Sequence, residues 1–135
     1  RGGYASFDVT YTPGKVTARG YRDGKRILTE TVETSGPAAK VKAEVAHRQD
    51  GISIVNVTLL DAKGRFTPAA SPGLRISLPA DVRLLGAGNG DPAIQAPERP
   101  APGTRPGSFT FPAFNGHAQF IISSPTSEIP EITIL

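Results

Sequence analysis

The sequence predicts an all-β fold, a sandwich of short antiparallel strands, and three observations carry that expectation. Apolar and polar residues alternate with period two along most of the chain, and no stretch repeats with the 3.6-residue period of a helix. Turn-forming residues recur at the roughly 8–12-residue spacing of sandwich domains. Glycine (15) and proline (13) occupy 28 of the 135 positions, about a fifth, against roughly 12% in average usage.

The elements follow in order. Phe7, Val9 and Tyr11 alternate with Asp8 and Thr10, which predicts a strand ending at the Pro13-Gly14 turn. From Lys15 to Tyr21, Val16 and Ala18 share one face, and Thr17 and Arg19 the other. Asp23-Gly24 then predicts a two-residue hairpin turn, because both residues tolerate positive φ. Ile27–Thr34 is rich in Thr and Val, the residues that suit a pleated surface. Three strands in a meander are thus expected before a break at Ser35-Gly36-Pro37.

Beyond the break the pattern restarts. Ala39, Val41, Ala43 and Val45 alternate with Lys40, Lys42 and Glu44, a half-buried strand. Gln49-Asp50-Gly51 turns into Ile52–Leu60, where Val55, Val57 and Leu59 share a face. Asp61-Ala62-Lys63-Gly64 is a second hairpin-type turn. Leu74, Ile76 and Leu78 form the next strand, and Val82–Leu85 a short one. Residues 86–116 carry many glycines and prolines and little periodicity, so they are expected as loop. His117–Ser124 and Glu131–Leu135 close the series. The expected organisation is residues 1–36 as the terminal strands of a preceding β-sandwich, then residues 37–135 as one complete immunoglobulin-like sandwich. Three strands are too few to fold alone. The chain opens on Arg1 and has no Met, which suggests a piece of a longer protein.

Composition excludes several kinds of chemistry. With no cysteine, a disulfide scaffold, a zinc-thiolate site and a thiol nucleophile are ruled out. Apolar runs of a few residues predict no membrane insertion. The net charge is only +3, and the densest basic group, Arg19, Arg22, Lys25 and Arg26, brackets a turn. Nucleic-acid binding wants a longer basic track with interleaved aromatics, so nucleic acid is not an expected partner.

The most unusual segment is Gly86-Ala87-Gly88-Asn89-Gly90-Asp91-Pro92. Its glycine spacing is not that of a dinucleotide fingerprint opening a helix, and no phosphate-binding lysine follows. Asn89 and Asp91 offer oxygens, but without an EF-hand spacing. A glycine-dependent turn, with both side chains capping backbone amides, accounts for the segment better. Asp81, Asp91, Glu98, Glu128 and Glu131 are the carboxylates near strand ends or loops, and no pair stands out as a glycosidase couple. His47 and His117 lack metal-ligand spacing and a nucleophile elbow. Phe109, Phe111 and Phe114 cluster in or after the proline-rich loop, available to stack on a ligand or to pin that loop down. Sugar platforms favour Trp, and there is none. Asn56-Val57-Thr58 matches a glycosylation acceptor but lies mid-strand. The candidate ligand or interface residues are therefore Asn89, Asp91, Phe109, Phe111 and Phe114, with no catalytic, cofactor or metal residue expected.

Ordered along the chain, several of these segments resemble the C-terminal region of bacterial β-galactosidases of glycoside hydrolase family 2. Phe7-Asp8-Val9-Thr10-Tyr11-Thr12-Pro13-Gly14-Lys15-Val16-Thr17-Ala18 and Gly20-Tyr21-Arg22-Asp23-Gly24-Lys25 resemble the end of one β-sandwich module. Glu33-Thr34-Ser35-Gly36-Pro37-Ala38-Ala39-Lys40 resembles the step to the next. Val55-Asn56-Val57-Thr58-Leu59-Leu60-Asp61, the Gly88-to-Pro92 turn and Phe114-Asn115-Gly116 resemble that next module. The extended insert Ala96 to Pro112 departs from the family, whose connection here is often shorter and more charged. The resemblance implies a non-catalytic accessory module, since the family's catalytic glutamates sit in a barrel that this chain lacks. It implies upstream domains of the same polypeptide as partners, a homo-oligomer of the parent enzyme, and contact with carbohydrate. It also implies a periplasmic or secreted bacterial enzyme. Two other readings share the strand pattern: a bacterial immunoglobulin-like adhesion or surface module, and a carbohydrate-binding module.

Overall fold

The computed structural model describes residues 6–95 and 107–135, and every regular element among them is a β-strand. The chain divides into two compact units, one ending at Thr34 and the other beginning at Ser35.

The first unit is a two-stranded antiparallel ribbon, β1 (Lys15–Arg22) and β2 (Lys25–Glu33). Asp23 and Gly24 join the strands with φ of 49° and 75°, the positive values a type I′ turn needs to match the strand twist. The same chemistry recurs at Asp50-Gly51 and Asn115-Gly116. In register, Val16 faces Val32, Ala18 faces Glu30 and Gly20 faces Leu28, so one side of the ribbon is largely apolar. Thr17, Arg19, Tyr21, Arg26, Thr29 and Thr31 occupy the other side. The expected strand Phe7–Tyr11 does not form: residues 6–12 have no strand pairing, and Phe7, Val9 and Tyr11 are 82%, 73% and 74% exposed. Alternation predicts which way side chains point, but a strand exists only where a neighbour takes up its backbone hydrogen bonds.

The second unit is a sandwich of seven strands. One sheet has the order β3 (Ala38–Gln49), β4 (Ile52–Asp61), β8 (His117–Ser123), β6 (Arg83–Gly88). The other has the order β7 (Gly107–Pro112), β5 (Gly73–Leu78), β9 (Ile132–Ile134). All pairs are antiparallel. Between the sheets lie Val55, Val57 and Leu59 from β4, Leu74, Ile76 and Leu78 from β5, and Ala118, Phe120 and Ile122 from β8. Period two accounts for this directly, because every second residue of β4 and β8 is buried.

The segment expected as loop is in part strand. β6 runs on to Gly88, and β7 occupies Gly107–Pro112. Four alternating residues, Ser108 to Phe111, carry β7, and the flanking glycine and proline mask that signal. Pro112 is tolerated because β7 is an edge strand, where a missing donor breaks no inner ladder. Phe111 is fully enclosed and meets Phe120 edge-on, with ring centroids 6.3 Å apart. The remainder of the insert, including Glu98, lies outside the described residues.

Removing so large a buried ring leaves a cavity that the two sheets can close only partly. Phe111→Ala is expected to lower unfolding stability by about 3–5 kcal/mol. A guanidinium titration that leaves the midpoint unchanged would contradict this placement of β7.

Candidate functional site

The strand registers gather most of the unusual sequence at one end of the sandwich. There β3 and β5 begin, β4, β6 and β7 end, and β8 begins. The segments that meet at this end are Gly36, residues 61–72, residues 89–95 and residues 112–117.

Asn89 and Asp91 both spend their side chains on backbone. The Asn89 amide donates to the Pro112 carbonyl at 3.0 Å, and its oxygen accepts from the Asp91 amide at 2.9 Å. Asp91 Oδ1 in turn accepts from the Ala93 amide at 2.9 Å. These are consecutive Asx turns, with Gly90 between them at φ 80°. Asn89 thus fastens this turn to the end of β7.

The three phenylalanines separate. Phe111 is fully enclosed in the core, where of the two expected uses it packs its segment onto the sandwich and presents no face to a ligand. Phe109 is half-buried beside it, ring centroids 6.3 Å apart and nearly parallel. Phe114 is half-buried at the start of the turn into β8, where its amide donates to the His117 carbonyl at 2.9 Å.

That turn is the most constrained point of the unit. Gly116 has φ of 79°, and a Cβ there would lie 2.5 Å from the Thr67 carbonyl oxygen and 2.6 Å from the Phe66 ring. Its amide donates to the Ala70 carbonyl at 2.7 Å, and its carbonyl accepts from the Leu59 amide at 2.8 Å. Thr67 is buried, and its hydroxyl donates to the Leu59 carbonyl at 2.9 Å. Phe66 covers this corner and packs on His117, with centroids 4.7 Å apart. His117 thus opens β8 and sits against a ring, while His47 is exposed on β3.

Asp61 was expected only as a turn residue, yet it is the buried polar centre of this end, 1% exposed. Oδ1 accepts from the backbone amides of Lys63 and Arg65, both at 2.9 Å. Oδ2 accepts from the Gly36 amide at 2.9 Å and from Arg65 Nε at 2.7 Å, with the second guanidinium nitrogen also 2.7 Å away. Burial pushes the carboxyl up, but the bonds from Gly36 and Arg65 and the Arg65 charge outweigh it and hold Asp61 far below the usual carboxylate range. A signal for this was present in the sequence. Val55, Val57 and Leu59 share a face, and the same parity puts Asp61 on the buried side.

The remaining acids do not join this group. Asp81, Glu128 and Glu131 are exposed at separate positions. Among the described residues no cluster of three or more acidic or histidine side chains is arranged to hold a metal ion. The arrangement ties the strand ends here together, those of β9 included, where the Leu135 amide donates to the Gly73 carbonyl.

No protein-family model matches the chain, and no curated protein matches its sequence. Solved structures do resemble it. A β-glycosidase from Bacteroides vulgatus aligns at 22% identity with a TM-score of 0.61, over 94% of this chain and 18% of that one. A glycosyl hydrolase family 2 member from Bacteroides cellulosilyticus DSM 14838 aligns at 22% identity with a TM-score of 0.62, over 93% of this chain and 17% of that one. A β-glucuronidase from glycoside hydrolase family 2 aligns at 19% identity with a TM-score of 0.52, over 94% of this chain and 14% of that one. The likeness is one of fold, and this chain spans less than a fifth of each of those proteins.

Two outcomes test this corner. Gly116→Ala is expected to cost more than about 1 kcal/mol, because it adds positive-φ strain to a backbone collision. Asp61 gives a pH dependence with a definite sign. Its folded value lies below its ordinary 3.8, so its stabilisation is complete above that pH and is lost as pH falls through the folded value. Asp61→Asn is expected to be less stable than the parent chain at neutral pH, with the gap narrowing below pH 4 in acid-unfolding curves. A gap independent of pH would contradict the charged, hydrogen-bonded state.

Proposed function

We propose that this chain is a non-catalytic accessory region of a family 2 glycoside hydrolase, and that the parent enzyme is a β-galactosidase. The observation that carries the reading is the asymmetry of coverage. Nearly all of this chain aligns with a small part of much longer glycosidases, 94% against 18% for the B. vulgatus protein. The ordered motifs from Phe7 to Gly116 support the galactosidase assignment, and the neighbours, which include a β-glucuronidase, make sugar identity the point to test. The chemistry of the sandwich agrees with a supporting role, since its polar groups at the elaborated end are spent on one another.

The ribbon supports the same reading. Val16, Leu28 and Val32 are 62%, 54% and 75% exposed on one side of a two-stranded element. Ribbons of this size with an open apolar face are marginal in water. We propose that residues 1–36 end a preceding sandwich of the same polypeptide, whose other strands cover this face, and that residues 37–135 form a complete immunoglobulin-like module. Packing against the catalytic body, bordering its cleft or joining subunits are roles open to that module.

The expected results are specific. The 135-residue chain shows no turnover of a chromogenic β-galactoside, whereas the longer natural polypeptide hydrolyses it faster than the matching β-glucuronide. Purified turnover by the short chain would overturn the accessory reading, and a preference for the glucuronide would overturn the sugar assignment. Deleting residues 1–34 is expected to leave the unfolding free energy of the sandwich within about 0.5 kcal/mol of its value in the full chain. Loss of cooperative unfolding would refute the domain division.

A further inference from the structure

The ribbon's second face carries a group of side chains that the accessory role does not use. Arg19, Tyr21 and Arg26 share the side opposite Val16, Leu28 and Val32, together with Thr17, Thr29 and Thr31. Tyr21 pairs across the ribbon with Arg26, at the roughly 5 Å of directly opposed residues. Arg19 lies two positions back on the same strand, about 7 Å along that face. The register therefore puts one aromatic residue and two arginines on the same face, just past a register shift at Gly20/Tyr21, and Tyr21 is 60% exposed.

The same tip is electrostatically unfavourable by itself. Arg22 is directly opposite Lys25, and like charges so placed destabilise a hairpin. None of Arg19, Arg22, Lys25 and Arg26 makes an ion pair with a described carboxylate. By alternation Arg22 and Lys25 lie on the opposite side from Tyr21, so Arg19 and Arg26 are the cations of this face, and the other two add positive charge at a turn whose one acid is Asp23.

We propose that this face binds an acidic oligosaccharide, with one uronic-acid residue seated on Tyr21. The ring supplies an apolar face for a pyranose, as aromatic residues do at sugar sites. Arg19 and Arg26 supply planar donor forks matched to a carboxylate. The threonine hydroxyls beside them meet sugar hydroxyls. A single ring suits one sugar and offers no stacking track for successive bases, which separates this surface from a nucleic-acid site. The site rests on the ribbon's register alone, and it faces away from the apolar side assigned above to a covering sheet.

Isothermal titration of the 135-residue chain tests it with three probes of equal length: an oligogalacturonate, a neutral galacto-oligosaccharide and a single-stranded oligonucleotide. The acidic sugar is expected to bind at low salt at least about tenfold more tightly than either other probe, and to weaken as salt rises. Tyr21→Ala is expected to weaken it about fivefold, with Tyr21→Phe close to the parent. Arg26→Ala is expected to flatten the salt dependence, while Arg83→Ala, on β6 of the other unit, leaves binding unchanged. Equal binding of the neutral sugar, tighter binding of the oligonucleotide, or no loss in Tyr21→Ala would each overturn the proposal. Silence toward the oligogalacturonate in both this chain and the longer natural polypeptide, where covering strands hold the ribbon, would overturn it too, and would leave the accessory reading standing, since that reading is judged by turnover.

Discussion

The carboxylate of Asp61 is the fixed point around which the sandwich is closed. A buried charge is tolerable only when donors replace the water it has lost, and here they come from three places in the chain. Gly36 precedes β3, Lys63 and Arg65 follow β4, and Arg65 adds its own charge. The bonds fix where the second unit begins and how the chain leaves the first sheet. With that turn fixed, Thr67 reaches the Leu59 carbonyl, and the segment up to Pro72 lies where the Gly116 turn must pass. The bare α-carbon of Gly116 is what lets the two backbones approach.

The other end of the sandwich is held by an analogous device of opposite sign. Arg48 on β3 donates to the Ser53 hydroxyl at 2.9 Å, to the Ser124 carbonyl at 2.9 Å and to the Thr126 carbonyl. It ties the first hairpin to the loop after β8. A long cation binding carbonyls at one end and a short buried anion binding amides at the other make the ends rigid without enlarging the core. Rigid ends are compatible with the supporting role proposed above.

The ribbon obeys a different logic. It has no partner sheet within its own unit, so its register distributes residues between two faces without burying either. One face carries Val16, Leu28 and Val32 exposed beside Glu30 and the Arg22–Lys25 tip, and its apolar part calls for covering strands. The other is threonine-rich and cationic, with an aromatic side chain in its midst, and that chemistry is compatible with remaining in water. Two faces with such different demands are what the proposed attachment side and the proposed recognition side would each require.

The sequence by itself determined the class of fold, the strand turns and the direction of side chains. Alternation is a property of neighbouring residues, so β4, β5 and β8 were legible, as were the Asp-Gly turns, which depend on two residues alone. Even the burial of Asp61 was implicit in the parity of Val55, Val57 and Leu59. The tertiary structure decided what depends on distant partners. Phe7–Tyr11 alternates as a strand should but finds no neighbour, whereas Ser108–Phe111 becomes one because β5 is there to pair with it. Phe111 became core rather than binding surface for the same reason, since Phe120 waits across the interior. Of the donors to Asp61, those of Lys63 and Arg65 lie within its own turn, whereas the Gly36 amide comes from 25 positions away and no local pattern announces it. Hydrogen bonds and burial are settled between segments, and only the folded chain shows which segments meet.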